Sequence, residues 1–522
     1  MNRKLNQILW GGDKPGRAAV LGVQHVFAMF GSTVLVPALT GLDPAVTLLC
    51  MGIGTLIFHL ITRGIVPAFM GSSFSFIASI CAVAAHCKDN SIDGFASYVG
   101  WGIIASGVLY LLLAGLVKLF GAKRITSFFP PIVTGCMIII IAMMLAPTAM
   151  SNITTVRGDF AQDTLLVAEL TDGNAPLEEN GRYKMQQVDE QGNVTVSGWV
   201  PADDVKLKES DRNNANYVNP GNEYIVENIN GAQMYNTADA DSATVSGTQT
   251  WKNWLVAVVT ILTIMLVMFF TRGFIKLVPI LIGIVVGYLL SLALGMVDTA
   301  KVVQASWFTL PKFSLPAFKN WDAVSFAITM IAPISIVTFV EHVGDITANG
   351  AVTGHNYIED PGLHRTLLGC GLASIFSGAM GGPAATTYSE NTGVLAATQN
   401  YNPATLRIAA VFAIVLSLFG KVSGILNSIP AAVMGGVSVI LFGMIASVGL
   451  RMLVENHVDF TKSYNLVIAA VMLVVGLGLS SGITIGNVTV SGTAIAAVLG
   501  VILAKVLPQE ERTAASEKNA KN

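Results

Sequence analysis

The chain has 522 residues, of which 53% are hydrophobic and only 12% are charged, and its formal net charge is −2. Soluble globular domains carry about 25% charged residues, so the composition predicts a polytopic membrane protein and excludes a soluble enzyme. No basic patch for nucleic acid is present. The five cysteines lack metal-ligand spacing. They are interpreted as small buried hydrophobic residues, and neither a disulfide framework nor a metal site is expected.

The N-terminal residues 1–17 are polar and lack the apolar stretch and small-residue cleavage site of a signal peptide. About fourteen later stretches approach the roughly 20 apolar residues that a membrane-spanning helix needs. They lie near 18–38, 44–62, 70–86, 96–120, 127–149, 253–271, 276–296, 324–345, 366–381, 388–399, 405–427, 429–449, 464–481 and 490–507. We number them segments 1 to 14. The third and tenth are short, begin with polar residues and contain many Gly, Ser or Thr residues, so they are predicted to be interrupted helices.

Basic residues predict the orientation of these segments in the membrane. Lysine and arginine precede segment 1 and recur after segments 2, 4, 6, 8, 12 and 14. The positive-inside rule therefore places these loops, the N-terminal residues 1–17 and the tail 508–522 in the cytoplasm. Lys301 and Lys312, between segments 7 and 8, are exceptions to this pattern.

Residues 151–250 differ from the rest because they are polar and rich in acidic residues. The stretch "RYKMQQVDEQGNVTVSGWV" alternates in polarity on both sides of a glycine, which predicts a β-hairpin. By the charge alternation this insertion lies outside the cell, between segments 5 and 6. We expect a small β-rich domain here, with a disordered loop as the alternative.

Segments 3 and 10 contain similar short sequences. "PAFMGSSFSF" begins at Pro67 and "PAATTYSENT" begins at Pro383. Aligned on Pro-Ala, Ser73 falls on Ser389 and Phe74 falls on Glu390. The two stretches are seven segments apart, and an odd number of spans gives the two halves opposite topologies. Paired interrupted segments in matching positions of inverted repeats indicate a transporter's binding site.

Three acidic residues lie in or beside apolar stretches, where ionisable groups are rare and usually functional. Glu341 and Asp345 are four residues apart and share one face of a helix, and Glu390 lies in the polar break of segment 10. The alternative for Glu341 and Asp345 is that segment 8 has already ended and that both are solvated loop acids.

These groups suit a small, flat, polar solute. Ionised carboxylates accept hydrogen bonds from N–H donors, and the free backbone N–H groups of an interrupted helix suit carbonyl oxygens. Phe74 or Tyr388 can stack on a planar ring. The combination is suggestive of a nucleobase. Burial also favours the neutral form of a carboxylate, so Glu341, Asp345 or Glu390 can bind a proton on one side and release it on the other.

Several long motifs resemble the bacterial uracil permeases, members of the nucleobase–cation symporter family that also includes xanthine and urate permeases. The motifs include "LGVQHVFAMFGSTVLVPALTGLDP", "PAFMGSSFSFI", "VEHVGDI" and "GGPAATTYSENTGVLAATQ". The resemblance covers the chain outside residues 151–250 and the extreme ends. It implies a proton-coupled uracil importer that works by alternating access in the bacterial cytoplasmic membrane. It implies no cofactor beyond the proton, and it suggests a homodimer.

The resemblance also implies an all-α fold of fourteen segments in two inverted repeats of seven, with short antiparallel strands in segments 3 and 10. It implies a core domain and a gate domain, between which the base is bound. The core domain comprises residues 18–125 (segments 1–4) and 320–427 (segments 8–11). The gate domain comprises residues 126–150 (segment 5), 251–300 (segments 6–7) and 428–507 (segments 12–14).

Site residues follow from the same resemblance. Glu341 and Glu390 are implied to hydrogen-bond the base. Phe74 and Ser389 are implied to contact it through their backbones, and Ser32 is implied to pack near the ring.

The chain departs from the uracil permease pattern in two of its site positions. Asp345 stands where these permeases have His, and Ser389 stands where Gly is common. Two acids one helical turn apart repel and can share a proton, so the coupling differs in detail.

Three alternatives remain open. The first is a permease for xanthine or another purine. The second is a passive channel or anion transporter on the same fold, for which a basic group near the interrupted helices is expected instead of Glu390. The third is an intramembrane enzyme, for which the sequence shows no nucleophile–base pair.

Overall fold

The computed structural model describes residues 15–90, 92–154, 251–297, 299–479, 482–485 and 488–508, together with eight short strands between residues 155 and 246. Most of the described residues are helical. The helices of the membrane part are Pro15–Thr40 (segment 1), Pro44–Ile61 (2), Ile77–Asp89 (3), Phe95–Phe120 (4), Pro131–Thr154 (5), Trp251–Phe270 (6), Pro279–Ala293 (7), Trp321–Ile331 and Ile334–Thr353 (8), Leu363–Met380 (9), Ser389–Thr398 (10), Pro403–Ser417 (11), Ala431–Glu455 (12), Ser463–Gly478 (13) and Gly492–Val506 (14).

Seven helical stretches of the described part, in segments 1, 2, 4, 5, 6, 8 and 12, are long and apolar enough to cross a membrane, with the two helices of segment 8 counted as one stretch, Trp321–Thr353. Five shorter apolar helices belong to segments 3, 7, 11, 13 and 14. With segments 9 and 10 they make the fourteen segments expected from the sequence. The chain is a multi-pass membrane protein.

Two predicted spans differ from the observed helices. Segment 8 is two helices separated at Ala332 and Pro333, because proline removes a helical hydrogen bond donor. The predicted span 405–427 was too long. Its helix ends at Ser417, and Gly420–Asn427 form a second, short helix.

The interrupted segments 3 and 10 cross as a pair of short strands. Strand β1 (Met70–Ser72) pairs antiparallel with strand β10 (Ala385–Thr387). Met70 lies opposite Thr387, and Gly71 lies opposite Thr386. The Pro67/Pro383 alignment makes Met70 equivalent to Thr386 and Gly71 equivalent to Thr387, so each pair converts into the other when the halves are exchanged. The register is therefore that of an inverted repeat.

The helices pack in two groups. Segments 1, 2, 4, 9 and 11 contact one another, and segments 5, 6, 12, 13 and 14 contact one another, with segment 7 beside segments 6 and 12. In the second group, a Cβ on Gly449 would lie 2.8 Å from the carbonyl oxygen of Gly135. Small residues allow such close helix packing in membranes. We call segments 1, 2, 4, 9 and 11, with segments 3, 8 and 10 packed on them, the core group, and the other segments the gate group.

The insertion contributes strands β2 to β9, which are Thr155–Gly158, Leu165–Ala168, Glu178–Glu179, Arg182–Val188, Val194–Pro201, Val205–Glu209, Tyr224–Ile229 and Ala243–Ser246. β5 and β6 pair antiparallel and correspond to the predicted hairpin. β2 pairs with β9, next to the points where the chain leaves segment 5 and returns towards segment 6. We call this side of the bundle the insertion end.

Candidate functional site

Strands β1 and β10 bring two helix beginnings to the middle of the bundle. After β1, residues Phe74–Phe76 form a 3₁₀ turn that leads into the segment 3 helix, and after β10 the segment 10 helix begins at Ser389. The first turn of an α-helix has backbone N–H groups without intrahelical partners. The crossing therefore offers hydrogen bond donors, as the sequence predicted.

A cavity of about 430 Å³ lies beside this crossing, between the two helix groups. This volume is within the range of small-molecule sites, about 300–1,000 Å³. The core-group side of the cavity is polar, and the gate-group side is mostly apolar. Its lining includes Phe74, Ser75, Glu341, Asp345, Thr386, Thr387, Tyr388 and Glu390 from the first group, and Ile138, Ile141, Leu441, Met444, Ile445 and Val448 from the second.

The three predicted acids meet in this cavity. Glu341 and Asp345 are half-buried in the middle of the helix Ile334–Thr353, so the alternative that both are loop acids is wrong. Glu390 lies in the first turn of the segment 10 helix. All three carboxyl-bearing residues line this one cavity. Carboxylates that share a cavity repel, which favours a proton or a hydrogen bond donor between them.

Two of these acids are oriented by hydroxyl groups. The hydroxyl of Ser75 donates to Oε2 of Glu341 at 3.2 Å, and that of Thr387 donates to Oδ2 of Asp345 at 3.0 Å. Neither partner was predicted from the sequence. Their only signal is their position in the hydroxyl-rich stretches of segments 3 and 10, where several Ser and Thr residues are equally good candidates.

His342 lies behind the acids and does not line the cavity. Its side chain is fully buried, with Nδ1 3.2 Å from Oγ1 of Thr387 and Nε2 2.9 Å from Oγ1 of Thr366. Because Thr387 also donates to Asp345, the network links Asp345, Thr387, His342 and Thr366. It joins segment 8 to β10 and to segment 9, and it restrains the orientation of Asp345.

Tyr388 and Phe74 form the aromatic part of the cavity lining. Their rings are nearly parallel, with centroids 6.3 Å apart. The Tyr388 hydroxyl donates to the carbonyl oxygen of Ser72 at 2.8 Å, and its ring covers Gly71, where a Cβ would overlap it. Tyr388 therefore holds β1 against β10, while the half-buried Phe74 borders the open space.

Two other predicted positions are placed by their backbone alone. Ser32 lies in the segment 1 helix, and Ser389 is the first residue of the segment 10 helix. The side chains of both residues lie outside the described part of the chain.

Two histidines of the early segments have hydrogen bond partners in the interrupted segments. His59 Nε2 lies 2.9 Å from the carbonyl oxygen of Ala68, just before β1. The side-chain amide of Asn391 lies 3.1 Å from Nδ1 of His25. Both side chains are buried, and they fasten segments 2 and 1 to the interrupted segments 3 and 10 respectively.

The cavity opens away from the insertion end. Its outermost lining residues are Arg451, Glu455 and Asn456 at the C-terminal end of segment 12, and all three are exposed. Segment 12 is antiparallel to segment 5, since Gly449 packs against Gly135 at the start of segment 5. Across the described residues, no group of three or more His, Cys, Asp or Glu side chains is arranged to hold a metal ion.

Comparisons with known proteins agree with this architecture. A model named Xan_ur_permease and described as a permease family matches residues 16–172 and 230–485. A uracil permease of Bacillus caldolyticus is 36% identical over 505 residues, which cover 96% of this chain and 95% of the relative. A uracil permease of Escherichia coli K12 is 32% identical over 486 residues, which cover 93% and 90%.

A solved structure, the transmembrane domain of the cyanobacterial bicarbonate transporter BicA, has the same fold. Its TM-score is 0.53 at 12% identity, and the match covers 94% of this chain and 97% of that one. The match to the family model and the similarity to relatives over nearly the whole chain establish what kind of protein this is. The chain is a transporter and not an enzyme, and it belongs to the permease family, the nucleobase–cation symporter family that includes the bacterial uracil permeases.

Proposed function

We propose that this permease imports uracil together with a proton, by alternating access, and that the base binds in the cavity between the two helix groups. The observation that carries the proposal is that Glu341 and Glu390 line one cavity beside two helix beginnings. The similar proteins named uracil permeases support the choice of base.

The chemistry of the cavity suits uracil. Uracil has two ring N–H donors, and two carboxylates that accept hydrogen bonds are available in Glu341 and Glu390. The two carbonyl oxygens of the base suit the backbone N–H groups at the start of the segment 10 helix, at Ser389 and Glu390. Phe74 borders the same space and can stack on the planar ring.

The clustering of the acids supports proton coupling. Asp345 is one helical turn from Glu341, and each has its own hydroxyl donor. A proton shared among these carboxylates reduces their repulsion and lowers the charge that the site carries through the membrane. A membrane potential of 100 mV acts on one such charge with about 2.3 kcal/mol. Substrate binding that depends on this proton links the two fluxes.

The proposal includes the orientation. If the basic loops and both termini are cytoplasmic in a bacterial membrane, the mouth at Arg451 and Asn456 faces the cytoplasm. The conformation is then inward-open, and an outward-open conformation completes the cycle.

The test is uptake of radiolabelled uracil into proteoliposomes with and without an inward proton gradient. We expect gradient-dependent uptake that excess xanthine does not reduce, and we expect it to be lost in Glu390→Gln. Glu359→Gln, which changes an exposed acid in the short π-helical turn between segments 8 and 9, should transport as the wild type does.

Each part of the proposal has its own contradicting outcome. Uptake that is indifferent to the gradient contradicts proton coupling. Efficient competition by xanthine contradicts the choice of base. Equal uptake by Glu390→Gln contradicts the site.

A further inference from the structure

A second surface of the molecule has a composition that the transport site does not explain. Residues 305–320, which we call the strap, connect segment 7 to segment 8 at the insertion end. The end of segment 7 lies at the insertion end, as shown by a hydrogen bond there: Lys252, at the start of segment 6, donates to the carbonyl oxygen of Leu294. Segment 8 begins there, with Asp322 2.9 Å from His86 at the end of segment 3.

The strap is fixed to the core group of helices. It lies across the insertion ends of three segments of that group, and each of the three supplies one hydrogen bond partner. The bonds are Thr309 N to Leu418 O at 3.0 Å next to segment 11, Ser314 N to Met380 O at 3.3 Å at segment 9, and Trp101 Nε1 to Ala317 O at 3.0 Å at segment 4.

A row of large apolar side chains covers the outer side of the strap and continues to its junction with segment 8. Each is more than 60% exposed, which is unusual for side chains of this size in contact with water. They are Trp307 (69%), Phe308 (72%), Leu310 (76%), Leu315 (61%), Phe318 (62%) and Trp321 (69%). Lys312 and Lys319 alternate with them and are also exposed.

The backbone of the strap excludes the hydrocarbon interior as its environment. Residues 305–320, all of which the structure describes, form no helix, and their only bridge joins Phe308 to Phe419. Pro311 and Pro316 favour the extended conformation. Extended backbone at membrane depth is tolerated only where its polar groups find partners, because the hydrocarbon interior offers them none.

The side chains and the backbone therefore require different surroundings, and one environment supplies both. At the boundary between lipid headgroups and acyl chains, backbone groups reach water while aromatic rings contact hydrocarbon. We propose that the strap binds this boundary of the bilayer at the insertion end, with its apolar row in the lipid and Lys312 and Lys319 at the headgroup phosphates.

Other residues at the same end support this placement. Trp251 and Trp254 begin segment 6 and are 66% and 37% exposed. Tryptophan is enriched at membrane interfaces. Contacts with lipid phosphates also explain the presence of a lysine, Lys312, on the side of the membrane that the charge alternation assigns to the outside.

The binding has a consequence for motion. Since the strap is bonded to segments 4, 9 and 11, its attachment to the interface holds the insertion ends of these helices at one depth. Movement of this group across the membrane requires the strap to change depth or to bend at its connections to segments 7 and 8.

The test measures depth with a nitroxide label on Leu310→Cys, in a Cys81→Ser background because Cys81 is the only half-buried cysteine among the five. The protein is reconstituted in vesicles of phosphatidylethanolamine and phosphatidylglycerol. Collision with dissolved oxygen is compared with collision with a water-soluble nickel chelate. Leu112→Cys, a lipid-facing position within segment 4, and Glu359→Cys, an exposed loop position, give the two reference environments.

We expect the Leu310 label to lie between the references, with oxygen contact well above that at residue 359 and nickel contact well above that at residue 112. Two results overturn the proposal. A label as accessible to nickel as residue 359 places the strap in water. A label shielded from both reagents shows that protein, either the insertion or a second copy, covers it. The three labelled positions lie on the surface, and none of the substitutions touches the transport site.

Discussion

At the residue scale, the orientation of Glu341 depends on Ser75. The Ser75 hydroxyl is its hydrogen bond donor within the cavity wall. We expect Ser75→Ala to raise the Kd for uracil roughly 3- to 10-fold, since a hydrogen bond to a charged group contributes about 1.5–3 kcal/mol and cavity water replaces part of it. Calorimetric titration of the purified protein measures this. Ser79→Ala removes a nearby hydroxyl that does not contact Glu341 and should leave the Kd unchanged; an equal effect of both variants would contradict the assigned role.

His342 provides a second prediction at this scale. Replacement by Ala removes a buried ring and one hydrogen bond each from Thr387 and Thr366, which keep their bonds to Asp345 and to the carbonyl oxygen of Leu363. We expect a loss of about 2–4 kcal/mol in stability, from the cavity and the two lost hydrogen bonds together. Thermal unfolding in detergent tests this against His457→Ala, an exposed position. Equal melting temperatures for the two variants would show that the network contributes little.

Individual acids were predictable from the sequence, but their partners were not. Glu341 and Glu390 stand out because charge in an apolar stretch is costly. Ser75 and Thr387 do not stand out, because hydroxyl groups are common in membrane helices. Ser75 is also 266 positions from Glu341 in the chain, and Thr387 is 42 positions from Asp345.

At the element scale, the crossing of β1 and β10 depends on the absence of a side chain at Gly71. A Cβ there would overlap the ring of Tyr388. We expect Gly71→Ala to displace Tyr388, to lower the melting temperature by several degrees, and to weaken uracil binding. Gly443→Ala is the matched control, because a Cβ at this helical position in segment 12 meets nothing within 4 Å. A Gly71→Ala protein with unchanged stability and binding would contradict this packing.

The alignment of segments 3 and 10 in the sequence is consistent with the observed strand register, whereas some helix ends could not be predicted from the sequence. The Pro67/Pro383 similarity gave an alignment that the observed pairing satisfies. The end of segment 11 at Ser417 was missed because Leu418 and Phe419 are apolar, as a longer span would be. Their backbone and rings instead pair with Thr309 and Phe308 of the strap, a contact over more than 100 residues.

At the scale of the whole molecule, the described lining residues place the mouth of the cavity at the end of segment 12 that lies away from the insertion end. Ala348 lies on its wall and is exposed. We expect a cysteine at position 348, in the Cys81→Ser background, to react with a membrane-impermeant thiol reagent from the cytoplasmic side, and uracil to slow the reaction. Inside-out and right-side-out vesicles compare the two sides. Exclusive reaction from the outer side would contradict the proposed orientation.

The architecture was largely predictable, because fourteen apolar stretches and the similar sequences at Pro67 and Pro383 in two halves of opposite topology restrict the fold to few possibilities. The depth and boundaries of the cavity were not, since they depend on how the gate residues of segments 5 and 12, such as Ile141 and Leu441, pack against the crossing. No local sequence pattern encodes how closely these residues pack against the crossing strands.

Equilibrium binding of radiolabelled uracil to the purified protein and to Glu390→Gln measures whether Glu390 recognises the base in this cavity. We expect at least a 10-fold higher Kd for the variant, equivalent to about 1.4 kcal/mol, while Glu359→Gln binds as the wild type does. Unchanged affinity in Glu390→Gln, with the protein folded, would contradict the site.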